Sequence, residues 1–122
     1  MHTGFTLIEL LVVISIIAML LTIAVPRYFR SLDQSKETVL RQDLTVLRDA
    51  IDKHVADKGQ YPESLLALVE QGYIRKIPDD PFTKSSETWV LVQSDDPESA
   101  GVRDVQSGAE GAGISGVPFD EF

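Results

Sequence analysis

The chain of 122 residues has no cysteine. Thiol nucleophiles and zinc–thiolate centres are therefore excluded. So are the disulfides with which small exported domains reinforce a thin core, so an exported domain of this kind needs a metal or packing against copies of itself. Histidine is nearly absent too, at two residues, His2 and His54. With no second ligand in view, His54 reads as a surface or subunit-contact residue. Basic residues are scarce in the second half. Residues 59–122 hold four Lys or Arg against twelve Asp or Glu, whereas residues 1–58 hold seven of each, so the whole net charge of −8 lies beyond residue 58. A nucleic-acid partner needs a basic face, and none is expected here. An acidic surface suits solvent or a hard cation such as calcium. There is no phosphate-cradling loop either, because the glycines of "SGAEGAGISG" do not join a strand to a helix. The acid pairs Asp79-Asp80 and Asp95-Asp96 fit turn formation better than acid–base chemistry. No converging catalytic set appears, so an enzyme is not expected.

What the sequence does have is one long apolar run. From Phe5 to Val25 the only polar residues are Thr6, Glu9, Ser15 and Thr22. As a helix those residues span roughly 31 Å, close to a bilayer core of about 30 Å. The run is longer than the apolar region of a cleaved signal peptide and lacks the small-residue site that should follow it. Pro26 is a potential kink, and Arg27 and Arg30 mark a water boundary. Beyond them the pattern turns amphipathic. Leu40, Leu44, Leu47, Ile51 and Val55 recur every three or four residues, with Arg41, Asp43, Arg48, Asp49, Asp52 and Lys53 on the other faces. Gly59 fits the position just after a helix end. The expectation is one helix of about 50 residues, apolar all round in its first half and one-sided in its second.

The rest reads as one small domain, not two. A short helix is expected within Pro62–Gln71, stopped by Gly72. "TWVLVQS" and "GVRDVQS" read as strands joined through a loop containing Pro97 and Gly101. Ile74, Ile77, Phe82 and Trp89 supply bulk to cover the helix stripe. The tail from Gly108 to Phe122, with its glycines and Pro118, reads as loop. The fold class is α+β: a long N-terminal helix packed on a small C-terminal antiparallel sheet.

A carboxylate inside a membrane helix costs about 2.5–3.5 kcal/mol at the centre on insertion scales, less near the end. Glu9 therefore either rests at the interface near the helix dipole or needs a cation from another molecule. An α-amino group would serve. At this point "GFTLIELLVVISIIAMLLTIAVP" resembles the N-terminal signature of type IV pilins and of type II secretion pseudopilins. Gly4 stands before Phe5, Glu9 four residues after it, then come the apolar run and Pro26. The resemblance continues, with Lys58-Gly59, Tyr61-Pro62, Pro78-Asp79-Asp80-Pro81 and Trp89 similar to the major, G-type pseudopilins.

That resemblance implies a leader at residues 1–4, a transmembrane and fibre-core helix at 5–25, and a periplasmic head at 26–122. It implies cleavage by a prepilin peptidase between Gly4 and Phe5, and N-methylation of Phe5. Glu9 would pair with the N-terminal amine of a neighbouring subunit. A homo-oligomeric helical filament is implied, with minor pseudopilins, an inner-membrane assembly platform and membrane lipid as further partners. The leader Met1-His2-Thr3-Gly4 departs from the family in having no Lys or Arg, and Arg27 and Arg30 oppose the usual positive-inside bias. Calcium is implied in the C-terminal loop. Ser107 falls at a carbonyl ligand and Glu110 at the first aspartate, while Ser115 stands near the second, for which Asp120 could substitute. The implied function is a pseudopilus subunit driving protein export. The alternatives are a surface pilin for adhesion, motility or DNA uptake, a capping minor pseudopilin, and a membrane-anchored enzyme or binding domain.

Overall fold

The computed structural model describes residues 4–122. It divides into two compact units, the first ending at Asp33 and the second running Gln34–Phe122. One helix, α1 (Leu7–Lys58, 52 residues), contributes to both and continues through Pro26. In the first unit its side chains are exposed all round. The Glu9 N–H donates to Thr6 Oγ1 (3.1 Å), so Thr6 caps the first turn. Ser15 and Thr22 donate their hydroxyls back to the carbonyls of Leu11 (2.7 Å) and Ala18 (2.8 Å). That satisfies both hydroxyl protons inside the helix, as a lipid surround requires. The helix is long and apolar enough to cross a membrane.

In the second unit α1 becomes one-sided. Leu40, Leu44, Leu47, Ala50 and Ile51 are buried. The next buried residue is His54, only 5 % exposed, which corrects its reading as a surface residue. It lies three positions after Ile51 and so continues the stripe, while Val55 is half-buried. A buried imidazole needs a partner. Nδ1 lies 2.6 Å from the Gln60 carbonyl, and the ring packs 5.6 Å from that of Tyr73. Gly59 (φ 71°) ends the helix, its N–H donating to the Val55 carbonyl at 2.8 Å.

Helix α2 (Leu65–Glu70) starts at Ser64, whose Oγ accepts the Ala67 N–H at 3.2 Å. Leu65 and Leu68 point into the core. Strands β1 (Val90–Gln93) and β2 (Val102–Gln106) pair antiparallel, Leu91 opposite Val105, with a bulge between Val92 and Gln93. The core joins the α1 stripe to Leu65, Leu68, Trp89, Val102, Val105 and Phe119, and Tyr61, Tyr73, Ile74, Ile77 and Phe82 pack against it. Each fully buried large aliphatic contributes about 1.5–3 kcal/mol. This is the expected α+β arrangement of a long helix on a small antiparallel sheet.

The tail is more ordered than its glycines suggest. Ala112 bridges to Pro118, and a 3-10 turn covers Phe119–Glu121. Phe119 is buried, 4.4 Å from the ring of Phe82 and 5.3 Å from that of Phe122. Two glycines permit close chain crossings. Gly101 (φ 132°) lies against the Tyr61 and Pro62 carbonyls, where a Cβ would come within 2.7 Å of each oxygen. Next to it, Val102 N–H donates to the Pro62 carbonyl at 2.7 Å. Gly108 lies against Thr88, and a Cβ there would overlap the Thr88 carbonyl oxygen. That obstacle is backbone, which cannot swing aside. Gly108→Ala should therefore destabilise the head by about 2 kcal/mol or more. Gly59→Ala, in open space but at positive φ, should cost about 1 kcal/mol. Denaturant titration of both variants checks the order.

Candidate functional site

The signature residues lie where the helix begins. Gly4, Phe5 and Thr6 are non-helical, and α1 starts at Leu7. Phe5 is 85 % exposed, so the peptide bond between Gly4 and Phe5 lies on accessible, non-helical backbone. The leader residues Met1, His2 and Thr3 lie outside the described residues. Glu9 is exposed in the first turn, where the helix dipole favours an anion. Its neighbours Phe5, Leu7, Ile8, Leu10 and Leu11 are exposed apolar side chains. Among the described residues the one ion pair is Arg48–Asp104 (2.9 Å). No cation of the described chain thus neutralises Glu9. A counter-charge has to come from outside once this surface leaves water.

Ser107 is buried, and its Oγ donates to Asp80 Oδ2 (2.5 Å) and accepts the Ala109 N–H (3.1 Å). Glu110, Ser115 and Asp120 are exposed. Among the described residues no three His, Cys, Asp or Glu side chains converge as metal ligands. Calcium takes six to eight oxygens. The Ser107 carbonyl with the Glu110 and Asp120 carboxylates would offer oxygens from three residues, short of that number even with both carboxylates bidentate.

Asp80 is the polar centre of the head instead. It is fully buried, and Oδ1 accepts the N–H groups of Phe82 (2.9 Å) and Thr83 (3.4 Å). Its own N–H donates to the Ser85 carbonyl at 3.0 Å. The turn role expected of Asp79-Asp80 is therefore present, and a clasp on Ser107 is added to it. The flanking prolines were the only local sign of this. Nothing local pointed to Ser107 as its partner, 27 residues away. Trp89 fixes the same loop from its other end, Nε1–H donating to the Pro78 carbonyl at 2.8 Å. Asp43 on α1 faces this region. Burial, followed by repulsion from Asp80 and Asp79, raises its pKa above the ordinary carboxylate value.

Residues 1–25 match the family model described as the prokaryotic N-terminal methylation motif. The type II secretion system core protein G of Pseudomonas aeruginosa is 34% identical over 97 residues, covering 66% of this chain and 68% of that protein. The protein of the same name from Klebsiella pneumoniae is 34% identical over 95 residues, covering 65% of this chain and 68% of its own. The Vibrio cholerae one is 31% identical over 96 residues, covering 66% of each. This chain belongs to the core protein G family of type II secretion. That is the family of major pseudopilins, as the resemblance of the N-terminal signature and the Pro78–Pro81 loop implied. No solved structure matches the chain. The relatives' match extends well past the methylation motif and into the head, which favours the secretion branch over surface pilins. With the apolar helix, it also fits a single-pass membrane-anchored protein.

Two substitutions test the polar centre. Asp80→Ala leaves the Ser107 hydroxyl and two amides without their acceptor and should cost roughly 3 kcal/mol of head stability. Asp80→Asn, which keeps one acceptor oxygen, should cost less. At Asp43 the folded-state pKa lies above the unfolded one. The favourable state is therefore the protonated one, fully present below the ordinary aspartate pKa and lost as pH rises through the folded value. Asp43→Asn should raise stability at neutral pH, by under about 1 kcal/mol because the side chain is partly solvated. The gain should vanish in acid, which thermal melts across pH would record.

Proposed function

We propose that this chain is the repeating structural subunit of a periplasmic pseudopilus that drives folded proteins outward through a type II secretion system. The observation that carries this reading is the lone carboxylate Glu9, set in an exposed apolar helix that bears the methylation motif. A prepilin peptidase removes residues 1–4, and the new amine of Phe5 is methylated. Glu9 accepts the amine of a neighbouring subunit as helices leave the lipid. Without that amine the carboxylate would be buried and unpaired, so the pair selects one register of assembly. The contact is head-to-tail and does not close, and such contacts build filaments. The role is mechanical, not enzymatic, which the names of the relatives support. Subunits enter at the base from an inner-membrane assembly platform, with minor pseudopilins as further partners. The head faces the periplasm.

Two measurements test this. The intact mass of the chain from its native membrane should correspond to an N-methylated chain starting at Phe5. A chain still carrying residues 1–4 in cells with active peptidase would contradict the proposal. Glu9→Ala should leave processing and head folding intact but cut filament recovery at least about tenfold, because the neighbour's amine then loses its counter-charge. Shear-released long surface fibres would favour a pilus instead.

A further inference from the structure

The loop 107–122 has four glycines and a proline, a composition that by itself leaves a segment unanchored. It is nevertheless tied to α1 at three points. The Glu37 carboxylate accepts the Ile114 N–H. The Arg41 guanidinium stands 4.2 Å over the Phe122 ring. Arg48 reaches furthest. Its Nε donates to Asp104 Oδ1 (2.9 Å), and its Nη2 donates to the carbonyls of Val105 (3.0 Å) and Phe122 (2.8 Å). One guanidinium thus holds the end of β2 and the end of the loop together. Glu37, Arg41 and Arg48 are four and seven positions apart, which puts them on one face of the helix. The approach is close enough that a Cβ at Gly113 would overlap the Glu37 carboxylate and press on the Phe122 ring.

We infer that this polar face of α1, with the Asp80–Ser107 clasp, locks the loop in the role that the family resemblance gives to calcium. The head then folds and keeps its loop without the ion. The chemistry is parallel. A calcium ion would gather carboxylate and carbonyl oxygens across the loop. Arg48 gathers one carboxylate and two carbonyls with a cationic, planar fork that fixes direction. The acids a calcium site would need, Glu110 and Asp120, stay in solvent.

The test uses the full chain in detergent micelles, with calcium chloride or a chelator as the probe. Melting temperature is read alongside hydrogen exchange over 107–122. The wild-type melting temperature should agree within about 1 °C in the two conditions. Calcium at a hundredfold excess over its dissociation constant would instead raise it by about 10 °C or more, and that result would overturn the inference. Arg48→Met keeps the apolar stem and removes the fork. It should speed exchange across the loop at least about tenfold, with exchange in the buried half of α1 unchanged and no rescue by calcium. Should Arg48→Met fail to fold, Glu37→Ala decides, since it removes only the Ile114 acceptor at the rim and should speed exchange at that amide. Unchanged loop exchange in Glu37→Ala, or its restoration by calcium, would equally sink the idea.

Discussion

A single helix has to be stable in two solvents, and that constraint shapes everything else in the chain. Up to Asp33 its side chains face outward on all sides, so the surround must be apolar or the surface must be covered. From Leu40 onward one stripe is closed off by the head and the opposite face must stay wet. The backbone solves both problems in the same way, by pairing its own groups along the axis. The side chains do the discriminating. The hydroxyls of Ser15 and Thr22 fold back onto the helix, where Arg41 and Arg48 reach outward to the head.

Much of this was legible from the residues alone. The change from an all-round apolar run to a stripe at three- and four-residue steps gave the helix and its two halves. The short β-branched runs gave both strands, and the residues around Gly4, Phe5 and Glu9 gave the family. Each of these signals is local, so each survives in one sequence read linearly. His54 was misplaced because an imidazole looks polar in isolation, although the helical period from Ile51 carries it inward. Its burial depends on the Gln60 carbonyl and the Tyr73 ring, which the chain supplies only after it turns back.

The loop 107–122 was harder to read for a similar reason. Its glycines and single proline describe a flexible segment, and the groups that hold it come from Glu37, Arg48 and Asp80, between 27 and 77 residues away. Asp80 shows how such a link is hidden. A turn-forming aspartate beside a proline has a sufficient local explanation, so its second oxygen draws no attention. Only when the chain is folded does that oxygen lie beside Ser107. Charge arithmetic had the same blind spot. Twelve acids in the second half suit solvent or a hard cation, and a count of them does not show that Asp80 is sealed off at the centre of the head and satisfied by neutral donors.

The chain's only tryptophan lies at the meeting point of these parts. Trp89 is 7 % exposed, belongs to the core that covers the helix stripe, and is hydrogen-bonded to the loop that carries Asp80. Its indole is therefore a built-in optical reporter. Emission should be blue-shifted while the core excludes water and move to longer wavelength as the helix stripe and the Pro78–Pro81 loop separate. The emission wavelength of one native fluorophore would follow the head through insertion, extraction and assembly, without a label in the helix that has to pass between lipid and fibre.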